Sequence, residues 1–548
     1  VMLFGAIILA FVFLIGWITY INASKGEKYT KVVLDQQQYN NRTIPFKRGD
    51  IVDRNGTKLA TSERVYNVVV DAKTITSNKK YINPTIKALS KCFDLKKKDV
   101  RKQIKKNPNS RYLVLKKGVN YEAYQKFEKI TSDTDKNPNV QGVWMEEDYT
   151  RKYPYKTLAS DVIGFTTNGN VGSNGIEASY NSILNGTDGR EYGYLDEDSG
   201  YERTVKEPDN GSTVVSTIDL QLQSIVEQHI LEFNEEHKNE ATQGEGSKNT
   251  GVIVMNPQNG EIYAMASAPE FNLNDPYRIP GDLNKMSAKE KSEKRNAMWR
   301  NPCVSDTYEP GSTFKILTTA ALEKGVVKMT DRFHCPGYKI VEDRRIRCHK
   351  KGGHGSETFL DGIMNSCNPV FIEVGARVGV SDFFRKMSDF GLMNRTGIDV
   401  PGEASTIIHK EKNVGAVELA TMSFGQSFQL SPIRLVSIAG SMINGGYSIT
   451  PHFGVSAVSA DGSLMKHFSY EKKERVVSKE TSDLIRMALG KVVSEGTGHK
   501  ASVKGFSVGA KTGTSEKLPR GNGKYIASTI GFAPVENPKV IALVRIDE

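Results

Sequence analysis

Cysteine is scarce in this sequence: it accounts for 5 of the 548 residues, an odd number. A scaffold held together by disulfides is therefore disfavoured, which leaves metal ligation or free thiols as the roles of these side chains. The chain also lacks an internal repeat of solenoid length and the glycine-rich fingerprints of nucleotide-binding loops. Repeat architectures and the common nucleotide-binding folds are thus not indicated.

The overall composition is that of a globular protein. Charged residues make up 25% and hydrophobic residues 38%, which excludes collagen-like, disordered and polytopic membrane proteins. The length exceeds the roughly 100 to 200 residues of one domain, so at least two folded units are expected. The net charge of +11 would suit nucleic acid, an anionic membrane or an acidic wall polymer. Because the basic stretch Lys96–Lys106 has no interleaved aromatic residues, we read it as a solvated helix face and predict no nucleic-acid partner.

The sequence has one long hydrophobic run, Val1–Ile21, with 21 residues and no charge. As a helix it would be about 32 Å long and would cross a bilayer once. A cleaved signal peptide is the alternative, but its apolar region should be shorter and end in a small-x-small site, which residues 21–24 do not offer. We therefore expect a retained transmembrane anchor at 1–21, whose orientation the residues alone leave open.

Two folded regions are expected after the anchor. Residues 22–210 combine strand and turn patterns, such as a hairpin turn at Asp53–Gly56, with a basic helical segment, and they predict a mainly β N-terminal pedestal. Residues 211–548 mix strands and helices, beginning with a β-hairpin formed by Gly251–Met255 and Glu261–Ser267. The predicted fold class is α+β.

A serine and a lysine share the predicted helix that follows Glu309-Pro310-Gly311. Ser312 lies in its first turn and Lys315 three residues later, so both occupy one face. A neutral lysine amine can accept the proton of a serine hydroxyl, which makes Ser312 a nucleophile and Lys315 its base. The lysine pKa must then fall from ~10.4 to ~7, which takes roughly 4.6 kcal/mol from burial or a second cation.

A second motif, Ser366-Cys367-Asn368, follows 54 residues downstream of Ser312. The Ser366 hydroxyl can relay a proton between Lys315 and a leaving amine. The Asn368 amide can hydrogen-bond both Lys315 and a substrate amide. These residue types complete the proton path of an acyl-transfer site.

A third motif, Lys511-Thr512-Gly513-Thr514, ends a predicted strand. Lys511 can depress the pKa of a nearby amine and attract a substrate carboxylate. Thr512, Gly513 and Thr514 then form a substrate-binding edge, which Gly513 keeps open to close backbone approach. An oxyanion needs two N–H donors, and the backbone amides of Ser312 and Thr514 are the candidates.

These three motifs, in this order, resemble the active-site motifs of penicillin-binding proteins and serine β-lactamases. The segments Arg48–Gly56, Gly175–Glu177 and Gly425–Pro432 resemble the class B, monofunctional transpeptidase branch, so the resemblance covers nearly the whole chain. It implies a penicillin-binding transpeptidase domain, an antiparallel sheet with flanking helices, on an elongated pedestal of the dimerisation type.

The resemblance also implies a function. The substrate would be the peptide stem of peptidoglycan, attacked at D-Ala-D-Ala and passed as an acyl-enzyme to an amine on a neighbouring stem, and β-lactams would acylate Ser312. The wall lies outside the cytoplasmic membrane, which implies a single-pass cell-membrane protein with an extracytoplasmic catalytic domain. No segment before Gly211 resembles a glycosyltransferase, so a membrane glycan polymerase of the shape, elongation, division and sporulation family is the implied partner.

The subtype and the chain length carry two further expectations. Asn365–Phe371 most resembles division-type and sporulation-specific enzymes of Gram-positive spore formers, which implies a role in division or spore cortex synthesis. Such enzymes usually continue past the final strand, so we expect the natural chain to extend beyond Glu548.

A metal site is suggested by clustering, since four of the five cysteines and three of the nine histidines fall between residues 303 and 367. Three thiolates and one imidazole suit tetrahedral Zn²⁺, and some elongation-type class B enzymes bind zinc in the corresponding stretch. With four protein ligands the ion would be structural and would pin the loop before Ser366, while acyl transfer itself requires no cofactor. The alternative is ordinary buried thiols, and His334, His349 and Cys303 are substitute ligands. The predicted ligands are Cys335, Cys348, His354 and Cys367.

Three other functions compete with transpeptidation. A D,D-carboxypeptidase differs only in passing the acyl group to water, which the residues do not distinguish. A β-lactamase would need a base for deacylation and usually has neither a pedestal nor a retained anchor. A non-turnover β-lactam sensor or scaffold would carry a cytoplasmic signalling domain, and none is visible in the sequence.

Overall fold

The computed structural model describes residues 8, 10–20, 40–167, 170–196, 200–240, 243–281, 286–470 and 474–548. The chain forms two compact units, each built from three separate stretches. The first unit comprises Val1–Arg48, Ser62–Thr150 and Asn185–Gly211. The second unit comprises Gly49–Thr61, Arg151–Leu184 and Ser212–Glu548.

The predicted anchor is described only in part. Residues 10–20 are helical, whereas residues 1–7, 9 and 21 lie outside the described residues. Of the helices in the described ranges, none is both long enough and apolar enough to traverse a bilayer. The anchor at 1–21 therefore stays a prediction.

The first unit is mixed α/β, so the prediction of a mainly β pedestal was too simple. The basic segment Lys97–Lys106 contributes to the unit as a packed helix: Val100 and Ile104 lie one turn apart and are buried, while the lysines face solvent. Asn78 and Asn120 cap two further helices through their side chains. The helices are Ala72–Ser77, Lys79–Phe93, Lys97–Lys106 and Tyr121–Ser132, and the strands are Asn40–Ile44, Lys58–Val70, Leu113–Val119, Val143–Lys152, Gly189–Asp196 and Gly200–Lys206.

The second unit is centred on a five-stranded antiparallel sheet, here called the catalytic sheet. The predicted hairpin between residues 251 and 267 is confirmed as its first two strands. The strands lie in the order Ile262–Ala268, Asn249–Met255, Val540–Asp547, Tyr525–Ala533, Gly509–Glu516. The antiparallel sheet with flanking helices agrees with the predicted transpeptidase fold.

Helices of the second unit flank this sheet. The apolar helix Pro432–Ile443 is buried along its whole length, which places it in the centre of the largest hydrophobic core. The remaining α-helices are Ser160–Ile163, Gly175–Ser179, Asn181–Leu184, Leu220–Glu236, Ala288–Met298, Pro302–Ser305, Lys315–Thr318, Phe359–Met364, Asn368–Val378, Val380–Asp389, Ala416–Met422 and Lys479–Ser494. The 3₁₀ helices are Gly311–Phe314, Thr319–Lys324, Glu411–Asn413 and His499–Ala501. The strands outside the catalytic sheet are Ile51–Val52, Thr166–Thr167, Val171–Gly172, Thr213–Ser216, Arg332–Cys335, Tyr338–Val341, Arg344–Arg347, Gly355–Thr358, Gly454–Val458 and Leu464–His467.

Two stretches of the predicted pedestal, 49–61 and 151–184, cluster with the second unit. Ile51 pairs in parallel with Val214, which fixes the first stretch. Arg151 fixes the second: its Nε forms a buried ion pair with Glu177 Oε1 at 2.6 Å, and its Nη1 donates to Gly49 O at 2.7 Å. Two of the segments that resemble class B enzymes therefore meet inside the second unit.

Candidate active site

The candidate nucleophile lies on a short helical turn at the start of a buried segment. Gly311–Phe314 is a 3₁₀ turn that continues as the α-helix Lys315–Thr318. Gly311 has a left-handed φ of +55°, and a Cβ there would meet Ser515 Oγ at 2.5 Å, so only glycine fits against the catalytic sheet. Side chains at i and i+3 eclipse one another in a 3₁₀ helix, which orients Ser312 and Lys315 to the same side.

The Lys315 amine is fully buried, with 1% of the residue exposed. It donates to Ser366 O at 2.7 Å, to Asn368 Oδ1 at 2.7 Å and to Ser366 Oγ at 3.2 Å. Burial lowers the pKa of Lys315 to about 7, although the nearby Cys367 partly opposes the shift. This is the value that the proposed base requires. None of the hydrogen bonds of Lys315 within the described chain goes to Ser312.

Ser366 links two lysines. Its hydroxyl also accepts a hydrogen bond from Lys511 Nζ at 2.9 Å, and the same amine donates to Thr512 O at 2.9 Å. Burial holds the pKa of Lys511 well below its usual range, and the charge of Lys315 adds to this effect. Ser366 itself has a left-handed φ of +52°, a strained conformation at the start of the helix Asn368–Val378.

A cleft of about 270 Å³ opens beside these groups. The structure brings the predicted residues Ser312, Ser366, Asn368, Thr512, Gly513 and Thr514 to its wall. Five further lining residues were not predicted as catalytic or substrate-binding residues: Gly311, His349, Phe424, Gln426 and Thr497. Gly311 was noted only as a turn residue before the helix, His349 only as a substitute metal ligand, and Gln426 only as part of the Gly425–Pro432 resemblance.

The four predicted metal ligands also lie together. One donor atom from each of Cys335, Cys348, His354 and Cys367 lies within 4.8 Å of the others. The three cysteines are almost completely buried, and Cys348 Sγ lies 3.7 Å from His354 Nδ1. Hydrogen bonding between the two thiols lowers the pKa of Cys348 and raises that of Cys367. Three thiols and one imidazole at this spacing fit the donor set of a tetrahedral zinc site.

The substitute ligands do not join this group. Cys303 lies against the catalytic sheet, with its thiol 3.9 Å from the carbonyl oxygens of Val252 and Ala266. The His349 ring lies 3.8 Å from Cys348 Sγ and lines the cleft instead. Cys303 therefore lies apart from the cluster, whereas His349 lies beside Cys348 but outside the group of four.

Comparison with known proteins identifies the family. Residues 250–548 match the penicillin binding protein transpeptidase domain, and residues 43–216 match the penicillin-binding protein dimerisation domain. The chain belongs to the penicillin-binding proteins. Together the two domains match the class B resemblance of the sequence, and they describe this penicillin-binding protein over most of its length.

Individual relatives agree with this family assignment. Stage V sporulation protein D of Bacillus subtilis (strain 168) is 34% identical over 571 residues, covering 100% of this chain and 81% of that protein. The probable peptidoglycan D,D-transpeptidase PenA of Neisseria gonorrhoeae is 28% identical over 532 residues, covering 94% of this chain and 82% of that protein. The crystal structure of penicillin binding protein 2X from Streptococcus thermophilus has a TM-score of 0.73 at 23% identity, covering 93% of this chain and 77% of that chain. The last likeness supports the fold of this penicillin-binding protein.

Proposed function

We propose that this class B penicillin-binding protein performs the peptidoglycan D,D-transpeptidation of its family with Ser312 as nucleophile and Lys315 as general base. The observation that carries the proposal is the Lys315 amine, which is buried, has its pKa lowered to about 7 and lies in hydrogen-bond contact with Ser366 and Asn368. A substantial fraction of this amine is uncharged at neutral pH, so it can accept a proton.

Acylation uses five side-chain or backbone groups. Ser312 Oγ attacks the carbonyl carbon of the penultimate D-Ala while its proton passes to Lys315. The backbone N–H groups of Ser312 and Thr514 stabilise the oxyanion. The C–N bond then breaks, and terminal D-Ala leaves as an amine after receiving a proton through Ser366, whose Oγ lies 3.2 Å from Lys315 Nζ and 2.9 Å from Lys511 Nζ.

Deacylation reverses this path with a different amine. An amine of a neighbouring stem attacks the acyl-enzyme carbonyl, loses its proton through Ser366 and releases Ser312 with a new amide bond. Asn368, which accepts from Lys315 Nζ, orients the base and the substrate amide. The Thr512–Thr514 strand, which lines the cleft beside the buried Lys511, would bind the carboxylate end of the donor stem, and the same contacts would hold a β-lactam.

The cysteine and histidine cluster is proposed to hold a structural Zn²⁺. Cys335, Cys348, His354 and Cys367 would be its ligands, and the ion would supply a cross-link between segments that converge before the Ser366 turn. All four positions of a tetrahedral ion are then occupied by protein, so the ion takes no part in acyl transfer.

The setting of the enzyme is also a proposal. Residues 1–21 would anchor the protein in the cytoplasmic membrane with the catalytic unit outside, where peptidoglycan is cross-linked. A membrane glycan polymerase of the shape, elongation, division and sporulation family would supply the glycan strands. The likeness to a stage V sporulation protein supports a role in division or spore cortex synthesis.

Labelling with a fluorescent penicillin tests the nucleophile. Ser312→Ala should abolish the covalent label, because the acyl group forms its ester with this hydroxyl. Ser463→Ala is the matched control, since Ser463 and Lys466 form another Ser-x-x-Lys pair that lies exposed on the surface. Retained label in Ser312→Ala, or loss in Ser463→Ala, would refute the assignment.

Incubation with a D-Ala-D-Ala stem and an amine acceptor should yield the cross-linked peptide, whereas a hydrolysed stem alone would identify a carboxypeptidase.

A further inference from the structure

A buried carboxylate, Glu357, lies between the cysteine and histidine cluster and the Ser366 turn. Only 4% of the residue is exposed, and its Oε1 atom has no hydrogen-bond partner among the described residues. A buried carboxylate oxygen without a partner is costly, so such an atom points to a group that completes its surroundings.

The two oxygens of Glu357 face different functional segments. Oε1 lies 3.8 Å from His354 Nδ1, about 0.8 Å beyond a normal N···O hydrogen bond. Oε2 accepts a hydrogen bond from Asn365 Nδ2 at 3.1 Å. Asn365 directly precedes the strained Ser366, and Cys367 follows it, so this turn connects a catalytic hydroxyl to a predicted metal ligand.

We propose that Glu357 is a positioning residue that couples the metal cluster to the catalytic turn, an inference that rests on the zinc site proposed above. A histidine that binds a metal through one ring nitrogen donates its other N–H to an outer acceptor, which fixes the tautomer and the ring orientation. Oε1 of Glu357, which lies 3.8 Å from Nδ1 of His354, orients this ring for metal binding. Oε2 holds the Asn365 amide and with it the backbone that sets Ser366 φ.

The strand that carries Glu357 gives this arrangement a rigid base. Gly355–Thr358 pairs with Arg332–Cys335, so Phe333 lies opposite Glu357 and the ligand Cys335 lies opposite Gly355. The strand pairing therefore ties the position of Glu357 to that of the strand that carries Cys335. Ser366 continues this connection, because its O and Oγ both accept hydrogen bonds from Lys315, the proposed base.

Two variants of the full chain test separately the contact of Glu357 Oε1 with His354 and the contact of Oε2 with Asn365. Glu357→Gln keeps the shape but places an NH₂ group where an acceptor is required, so zinc affinity should fall about 10- to 100-fold, as is typical for outer carboxylates. Acylation of Ser312 by fluorescent penicillin should slow in the same variant. Asn365→Ala removes only the hydrogen bond to Glu357 Oε2, so it should slow acylation while zinc affinity stays within about twofold of wild type. Zinc affinity is measured by competition with a chromophoric chelator under reducing conditions.

Glu373→Gln is the matched control, because Glu373 is a half-buried carboxylate paired with Lys339 and Arg377. Glu373→Gln should change neither the zinc affinity nor the rate of Ser312 acylation. Unchanged zinc affinity in Glu357→Gln, or unchanged acylation in Asn365→Ala, would overturn the coupling even if the wild type binds zinc. A wild type that binds no zinc would instead refute the zinc site itself, and the coupling with it. If Glu357→Gln does not fold, Asn365→Ala decides the coupling: slower acylation with unchanged zinc affinity supports it, and unchanged acylation overturns it.

Discussion

At the scale of single residues, the proposed chemistry depends on two lysines held around one hydroxyl. Lys315 and Lys511 both donate to Ser366 Oγ, and both are fully buried. Two ammonium groups at one acceptor would repel each other, so at least one amine must be neutral near physiological pH. Both the reactivity of Ser312 and the stability of the fold should therefore depend on pH.

Acylation of Ser312 should slow as the pH falls below 7. The pKa of Lys315 is about 7, so at pH 6 only about a tenth of the amine remains neutral and able to accept the Ser312 proton. The rate of fluorescent penicillin acylation should drop accordingly between pH 8 and pH 6, with circular dichroism confirming that the protein stays folded. A flat rate profile over this range would contradict the role of Lys315.

Lys511→Met should stabilise the protein at pH 7 while slowing acylation. Because burial lowers the folded-state pKa of Lys511 below its unfolded value, the unfolded chain binds a proton that the folded chain releases, and stability rises with pH through this window. Methionine removes this penalty. The gain in melting temperature should therefore be larger at pH 7 than at pH 10, near the unfolded pKa. An equal gain at both values would show that packing, not charge, is responsible.

At the scale of elements, the nucleophile turn is held against two neighbours. Gly311 N donates to Gly425 O at 2.8 Å, and Ser515 Oγ of the catalytic sheet lies 2.5 Å from the position that a Cβ on Gly311 would take. The segment Gly425–Pro432, which the sequence analysis noted only as a resemblance, thus has a structural role.

Gly311→Ala should destabilise the protein and slow acylation. The substitution combines a left-handed φ, which costs about 1 kcal/mol or more for alanine, with a Cβ placed 2.5 Å from Ser515 Oγ. Gly325→Ala is the control: its φ is +64°, but no atom lies within 4 Å of the added Cβ. It should lower the melting temperature slightly and leave acylation unchanged. Equal acylation in the two variants would contradict a specific fit of the turn.

The position of the motif residues on one side of a helical turn could be predicted because it depends on local spacing. The three-residue spacing of Ser312 and Lys315 is satisfied by both α and 3₁₀ geometry, so the sequence predicted the shared face but not the 3₁₀ turn. The left-handed φ of Ser366 was not predictable, because tertiary contacts rather than residue type impose it. His349 and Gln426 reach the cleft from segments without any catalytic pattern.

At the scale of the whole molecule, each unit is assembled from three stretches of chain. A single boundary near residue 210 was the simplest interpretation of a change in sequence pattern. Pairing between strands far apart in the chain leaves no local signature, which is why the assignment of 49–61 and 151–184 to the second unit could not be predicted.

Zinc should stabilise the whole reduced protein. An ion that binds only the folded state contributes about 2.7 kcal/mol when its concentration is 100 times Kd. Chelation should therefore lower the melting temperature of the wild type but not that of Cys335→Ser. Cys303→Ser, a buried cysteine outside the cluster, should lose some stability yet keep the response to chelation. Identical chelator responses in wild type and Cys335→Ser would contradict the ligand set.

The parallel pairing of Ile51 with Val214 has a consequence for biosynthesis. The earlier strand leaves the ribosome long before its partner, and at about 5 to 20 residues per second the wait is about 8 to 33 s. Nascent chains must keep this apolar strand from pairing elsewhere during that interval. Polypeptides cut to begin at residue 212 would lack it altogether, together with the Arg151–Glu177 ion pair.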